Sequence, residues 1–486
     1  MLLLSTPQYR NMKRSIILSI LVLLGLNLFP HPWKPAHYII IDTDGGIDDI
    51  RAISLLIASP NVRVLGITAS SGALSADNAW IKVKSLLNSY HHEGLPVGIN
   101  RNPGFISPEF GTALQTKWGD ETAVFPDKAA SATELIREIL SAEKTKISFI
   151  CLGGMSTLNM ALNDIPELKL QLKDVLWSGD GIKDTKGFNY NIDKDAAKNI
   201  LNGDLPVRVV RKPETEDFYS GSLLSEIAAI NSIYAIKISE FFKSDLIKDH
   251  KYPFTGNDDM VPLFLHWPDL FKTSGEGNKT DCYPGNISQL REKSLTILKG
   301  ETVAKNQVIR ALPIDTSFYF ADIQSSVAEI INKYGMDEWT SGVIANELHR
   351  HLGVFAIIGV KMGIRAREYF CTGVDEFRVT SFAGSVPPLS CMNDGVQVST
   401  GATPGHGLLT VSSDTVTKPV AEFTYLNRKI RMTLNSEIAS KISSELKEIN
   451  FVYGLDSNIY WELVRKNSIK YWRNLDREDI FIIKEL

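Results

Sequence analysis

Four carboxylates, Asp42, Asp44, Asp48 and Asp49, fall within the eight residues DTDGGIDD. Negative charge at that density repels itself unless protons, hydrogen bonds or a cation compensate it. Hard oxygen ligands of this kind favour calcium or magnesium. The apolar residues 38–41 ahead of the acids read as a buried strand, and Ile50, Ile53, Leu55, Leu56 and Ile57 behind them open a helical pattern. The acids therefore sit where a strand hands over to a helix, the edge at which an open α/β sheet carries ligands. Asp42 and Asp44 share a face while the strand stays extended. Gly45 and Gly46 then permit a tight reversal that returns Asp48 and Asp49 to the same small volume. Helix capping alone would account for Asp48 or Asp49, but accounts less well for Asp44.

The elements that must position these acids alternate along the chain. Strands are expected at 62–69, 96–99, 147–152, 175–177 and 207–210, and helices at 77–90, 130–140, 156–162 and 193–201. This is the rhythm of a mostly parallel open sheet with helices on both faces. Glycines follow several of the strands, at 66–72, 153–154 and 179–187, so those strand ends can form one crevice with the aspartate loop. A polar, glycine-rich stretch at 275–306 reads as loop, 308–312 as a further strand, and 322–334 as a helix ended by Gly335. The expected division is an N-terminal segment 1–34, an α/β domain 37–335 and a smaller α+β domain 336–486.

At 486 residues and 44% hydrophobic composition the chain can bury substantial cores. Its net charge of -4 and lack of a long Lys/Arg stripe give no support to nucleic-acid binding. Arg10, Lys13 and Arg14 precede the 15 apolar-rich residues 15–29, which Pro30 and Pro32 interrupt. A basic region followed by an apolar run too short for a comfortable bilayer span points to export, periplasmic or extracellular. The alternative is an uncleaved anchor, the chain's one expected membrane contact, and Met12 as the start would leave a tidier signal. Cys151, Cys282, Cys371 and Cys391 form no CxxC and neither demand nor exclude one bridge.

DTDGGIDD at 42–49 resembles the DTDxGxDD fingerprint of the nucleoside hydrolases, calcium-dependent N-ribohydrolases, at every specified position. LGGMSTLNMAL at 152–162, FNYNIDKDAA at 188–197 and NDDMVPLFLHWPDLF at 257–271 are similar to three further segments of that family, over roughly 37–330. The resemblance implies that Asp44, Asp49, Asp258 and the backbone carbonyl of Leu152 ligate calcium. It implies that Asp44 takes a proton from the attacking water, and that Asp48 and Asn189 bind ribose hydroxyls, with surrounding carboxylates supporting an oxocarbenium-like sugar. The expected ligand is a small ribonucleoside or related sugar. Self-association into a homo-oligomer is compatible with the sequence.

Three positions depart from the family pattern. Its ribose-binding glutamate falls on Gly187, and its early asparagine on Ala73, with Asn78 nearby as the substitute. The histidine that precedes its last metal aspartate falls on Asn257, whose amide can stabilise developing charge on the leaving group but cannot hand over a proton. His266 is the alternative acid. The expectation is therefore a calcium-dependent hydrolase of N-glycosidic bonds. Its rivals are a binding protein that kept the calcium platform without turnover, and a hydrolase of another glycoside whose second domain covers or extends the pocket.

In the C-terminal part, HRHLGVFAIIGVKMGIRAREYF reads as one long helical pattern over 348–370, Val396, Val398 and Thr400 as a strand, 420–424 and 429–432 as strands, and 435–448 as a helix. His349, His351 and Gly353, followed by Asp394, Gly395, Gln397, Gly401, Thr403 and Gly405, resemble the core domain of the formylmethanofuran dehydrogenase E-component family over about 341–430. The family's Cys-Pro after the second histidine and the zinc-ribbon cysteines of some members are absent. His349, His351, Cys391 and His406 have the ligand types for a second metal such as zinc. A metal-free pocket and a purely structural domain are the other readings. Residues two apart on a helix diverge by about 200°, so the two histidines converge only if the first precedes helix entry.

Overall fold

The strand ahead of the acids runs further than its apolar core suggests, β1 at His37–Thr43. The computed structural model describes residues 34–486 apart from 102–103, 184–185, 215–217, 249–255, 304–307, 310 and 415. The expected export segment lies outside the described residues. β2 (Val62–Ser70), β3 (Val97–Asn100), β4 (Ile147–Cys151), β5 (Leu172–Ser178) and β6 (Val207–Val210) join β1 in a parallel array. A hairpin, β7 (Phe271–Glu276) and β8 (Lys279–Pro284), completes the sheet in the order β3-β2-β1-β4-β5-β6-β8-β7, with β8 parallel to β6 and only β7 reversed. The side chains of β1 alternate between two cores: Ile39 and Ile41 enter one face, and Ile40 the other with Phe149 and Cys151. Helices on both faces cover these cores, among them α1 (Ile47–Ala58), α2 (Ala76–Ser89) and α3 (Met260–His266).

Among the described residues of 308–312, where a strand is expected, none forms. Val308 is fully exposed and Ile309 half-exposed, and Pro313 follows. The stretch 275–306, read as loop, instead holds most of the hairpin and the helix Ile287–Leu298; β7 is exposed almost throughout and so carries no apolar signature.

The second sheet contains β9 (Arg378–Ser381), β10 (Leu409–Val411), β11 (Val420–Tyr425), β12 (Arg428–Leu434) and β13 (Phe481–Glu485), in the order β10-β9-β11-β12-β13. α5 (Val354–Phe370) and α6 (Met392–Thr400) share its core, and α4 (Ala321–His349) packs on those two helices. Gly335, at φ 86°, kinks α4, so two helical segments meet there. The first segment, which the sequence places in the α/β domain, packs Ile323, Val327, Ile330 and Tyr334 with Trp339, Ile357, Ile469 and Trp472 of the later part. The single long helix expected at 348–370 is interrupted where Arg350 takes a left-handed conformation, φ 66°. The strand expected at Val396, Val398 and Thr400 is the helix α6. A Cβ at Gly395 would collide with Ala356 O and Val360 N of α5, so glycines on both helices let their backbones touch.

Residues 36–486 form one compact unit. Arg63, at the start of β2, donates to Glu376 (Nε, 3.0 Å) and to Cys371 O (2.7 Å). Arg365 donates to Glu93 at 2.8 Å, and Gly94 N–H to Tyr369 O at 2.9 Å. His92 is held between Glu368 O (2.7 Å) and the Tyr234 hydroxyl (2.8 Å). These contacts gather at the ends where β2 and β3 begin, opposite the aspartates at the end of β1. Among the described residues, the second sheet and its helices thus brace the base of the first sheet, which speaks against the rival reading in which they cover the pocket.

Candidate metal and sugar site

β1 ends between β2 and β4, with Asp42 opposite Thr68 and Cys151. Asp42 is fully buried and accepts from Thr68 Oγ1 (2.6 Å) and Ser70 Oγ (3.0 Å), so it anchors the loop from below. Gly45, at φ 80°, turns the chain back over this anchor. Asp44 and Asp49 are almost fully buried as a result. Asp49 Oδ1 accepts from Thr43 Oγ1 at 2.6 Å and from Asp44 N–H at 3.1 Å.

The third acid arrives from far along the chain. Asp258 is buried, and the Ser178 hydroxyl at the end of β5 donates to it. Its neighbour Asp259 forms a buried ion pair with Arg51 of α1 at 2.9 Å, joined by the Tyr219 hydroxyl. That pair clamps 257–259 onto the helix that starts with Asp48 and Asp49.

Asp48, Asp49 and Asp258 each offer an oxygen, all within 4.8 Å of one another, and they are the one such group of His, Cys, Asp and Glu among the described residues. Asp44 lies beside them: a Cβ built on Gly46 would come 2.7 Å from Asp49 Oδ2 and 3.6 Å from Asp44 Oδ1. A Cβ on Gly153 would come 2.8 Å from Asp44 Oδ2, and one on Gly72 would overlap that carboxylate. Three glycines thus clear the space the acids occupy. Burial, then Asp49, holds the Asp44 carboxyl well above the usual carboxylate range; burial, then Asp48 and Asp49, does the same to Asp258. Asp49 is pushed up to about 7 by burial and by Asp48. A buried set of hard oxygens whose mutual repulsion resists ionisation fits a divalent cation.

Asn189 Nδ2 donates to Leu152 O at 2.6 Å and to Ser178 O at 3.0 Å. Leu152 O therefore borders the same crevice, and Asn189, its amide hydrogens committed, meets a ligand as an acceptor. Asn257 Nδ2 donates to Asp48 Oδ2 at 3.3 Å, placing the two side by side. Asn78 donates to both Glu109 oxygens, at 3.2 and 3.1 Å, on the first turn of α2. Glu109 went unread in the sequence; no periodicity marks it, and only the fold of 105–111 back over 71–75 brings it there. His266 is not the alternative acid. It packs edge-on to His37, ring centroids 5.3 Å apart, at the opposite end of β1, and burial lowers its pKa to about 4.

The four residues proposed for a second metal do not gather. His349 Nδ1 pairs with Asp394 Oδ2 at 2.8 Å and its ring lies 4.1 Å from that of His351. Cys391 is buried beside the start of α6, where burial and Asp394 raise its thiol pKa to about 11. His406 sits past the other end of α6, with Asp375 at 3.3 Å and Gly401 O at 3.1 Å. Nine helical residues separate the two ends, roughly 13 Å. All four cysteines are free and buried.

The raised acids make a prediction about pH. Asp42 and Asp49 each titrate near 7 in the folded chain against 3.8 ordinarily, so the native state keeps protons that the unfolded chain has lost between those values. Stability of calcium-free protein should therefore fall as pH rises from 4 through 7, and calcium should flatten that dependence. Thermal melts across this range, with and without calcium, check it; a calcium-free Tm that rises steadily through the window contradicts it.

Residues 39–306, just over half of the chain, match the family model described as inosine-uridine preferring nucleoside hydrolase. Residues 348–467 match the model described as FmdE, molybdenum formylmethanofuran dehydrogenase operon. Among curated proteins, the pyrimidine-specific ribonucleoside hydrolase RihA of Enterobacter sp. (strain 638) is 24% identical over 252 residues, 48% of this chain and 80% of its own. That of Citrobacter koseri is 25% identical over 264 residues, 48% of this chain and 81% of its own. Among solved structures, a plant nucleoside hydrolase aligns with a TM-score of 0.44 and 17% identity, over 56% of this chain and 100% of that one.

Proposed function

Since the chain belongs to the inosine-uridine preferring nucleoside hydrolase family, we propose that its α/β part, 37–335, is an exported, calcium-dependent hydrolase of a ribonucleoside or close relative. The observation that carries this reading is the glycine-lined convergence of Asp44, Asp48, Asp49 and Asp258 at the strand ends. Asp44, Asp49, Asp258 and Leu152 O would hold the cation, with Asp48 close enough to join them. Calcium, when bound, lowers the pKa of a water and orients it. Asp44, kept basic by burial, takes a proton from the attacking water. Asp48 and Asn189 hold sugar hydroxyls, and the surrounding carboxylates stabilise positive charge growing on the ring. Export rests on the basic and apolar segment at 10–29; no helix among the described residues is long and apolar enough to cross a membrane.

Departure of the base is the step this chain handles differently. Asn257 can donate a hydrogen bond to a developing anion but cannot protonate it, and His266 faces the other end of the sheet. Activated leaving groups should therefore be hydrolysed far faster than purines. The test is chromatographic detection of free base from calcium-loaded protein offered uridine, cytidine and inosine, and of nitrophenol from a nitrophenyl riboside. We expect the nitrophenyl riboside to lead and inosine to trail, with Asn257→His narrowing that gap. Release from none of them would end the substrate assignment, and equal rates on inosine and the activated riboside, with chemistry rate-limiting, would mean that another group supplies the proton. Binding without turnover would favour the non-catalytic alternative, whose support is the same Asn257 together with Gly187 and Ala73.

A further inference from the structure

Of the four residues offered for a second metal, two face one space. Between α4 and α5 the chain turns at Arg350, which takes a left-handed conformation at φ 66°, and the rings of His349 and His351 come together with centroids 4.1 Å apart. A non-glycine residue held in that conformation is strained, and such residues gather at ligand clamps. The turn is locked from inside: buried Asn346 accepts from Gly353 N–H at 2.9 Å and donates to Gly342 O at 2.6 Å. Gly353 keeps the space beside the rings clear. A Cβ built there would stand 3.4 Å from His349 Nε2 and 3.5 Å from His351 Nε2, so both nitrogens border one small volume.

The orientation of His349 is fixed from behind. Its Nδ1 meets Asp394 Oδ2 at 2.8 Å, which places a proton on Nδ1 and leaves Nε2 with a lone pair. That Nε2 is buried and has no hydrogen-bond partner within the chain. A carboxylate, an imidazole and a free Nε2 in line are the arrangement in which histidine ligates a metal. Imidazole suits zinc and its neighbours, whereas the oxygen cluster at the strand ends suits calcium. The pair is also open on one side: His351, with Trp461 edge-on at 5.0 Å, lines a groove of about 610 Å³ between residues 350–352 and the helix Asn458–Asn474.

We propose that His349 and His351 are two ligands of a zinc-class divalent cation, bound through their Nε2 atoms beside Gly353, with Asp394 as the positioning carboxylate behind His349. Cys391 and His406 take no part. Two protein ligands leave coordination positions that face the groove, so an ion held there is exchangeable and can carry a water or a donor atom of an outside molecule. The site is independent of the aspartate cluster and of the riboside reading.

The test uses the full chain, stripped with a chelator, saturated with calcium and then titrated with zinc by calorimetry, with the bound zinc examined by X-ray absorption. One zinc per chain should bind, with two imidazoles in its coordination shell. His349→Ala and His351→Ala should each abolish saturable binding. Asp394→Asn, which keeps an acceptor for Nδ1 but removes its charge, should weaken zinc about 10- to 100-fold while the shell keeps two imidazoles. Asp49→Asn, at the other site, should leave the zinc isotherm unchanged. Far-UV circular dichroism checks folding, and should a histidine variant fail to fold, the imidazole count on the parent protein decides. Calcium-loaded parent protein that takes up no zinc would overturn the proposal. So would binding that survives both histidine changes, or a shell with fewer than two imidazoles. Zinc lost from Asp49→Asn as fully as from His349→Ala would place the ion among the aspartates and overturn it as well.

Discussion

Asp44→Asn should lower the turnover number by a factor on the order of 10² or more, the usual size of an acid–base contribution, while leaving the calcium-free fold as stable as before or slightly more so. Asp44 is 2% exposed, and the strongest charge acting on its carboxyl is that of Asp49. Neutralising it relieves repulsion inside the cluster, yet removes the oxygen that would accept the water's proton. Asp49→Asn should behave differently. Its carboxylate is tied to Thr43 and to the Asp44 amide, so its loss should chiefly weaken the cation, and raising calcium should restore Asp49→Asn more fully than Asp44→Asn. Steady-state rates on an activated riboside over a calcium titration separate the two. Near-wild-type turnover of Asp44→Asn would exclude its role as base.

Arg51→Met should produce the largest loss of stability among single changes around the site. Arg51 and Asp259 are both at most 1% exposed, and the guanidinium also stacks 4.9 Å from the Tyr219 ring centroid. Breaking a buried pair from one side leaves an uncompensated charge, at a cost of about 3–5 kcal/mol. Because Asp259 adjoins Asp258, the same change should weaken calcium. Adding Asp259→Leu should recover much of the stability by removing the stranded carboxylate. Urea unfolding in the absence of calcium measures the loss and its recovery, and a calcium titration of the folded variants measures the binding; a single variant as stable as the parent would mean that Asp259 has another partner sufficient to hold it.

The aspartate loop was legible because its cause is local. An apolar strand, two glycines and a helical repeat are all written between 38 and 57, and Asp42, Asp44, Asp48 and Asp49 fall where those elements meet. The parallel sheet was legible for the same reason, since buried strands announce themselves as apolar runs. What the sequence hid is whatever depends on distant contacts. β7 is too exposed to carry an apolar pattern, β8 buries chiefly Lys279 and Cys282, and Val308, apolar in type, joins no strand among the described residues. Val396 and Thr400 are four apart, a helical spacing, but Val398 between them imitates strand alternation until Gly395 and Gly359 bring two helices together. Arg51 as the clamp on Asp259, 208 residues away, has no sequence signature at all. Likewise His349 and His351 read as metal ligands by type, whereas α6 separates Cys391 and His406 at its two ends.

Calcium held by the buried aspartates should let water cleave an N-glycosidic bond. The full chain is stripped with a chelator and assayed on uridine and an activated riboside in ¹⁸O-labelled water, before and after adding back calcium or zinc. Activity should vanish on chelation and return with calcium but not zinc, and the label should be at C1 of the ribose when it is sampled faster than its anomeric oxygen exchanges with water, and never in the base. Undiminished cleavage after complete removal of the metal, or label-free ribose, would contradict the account.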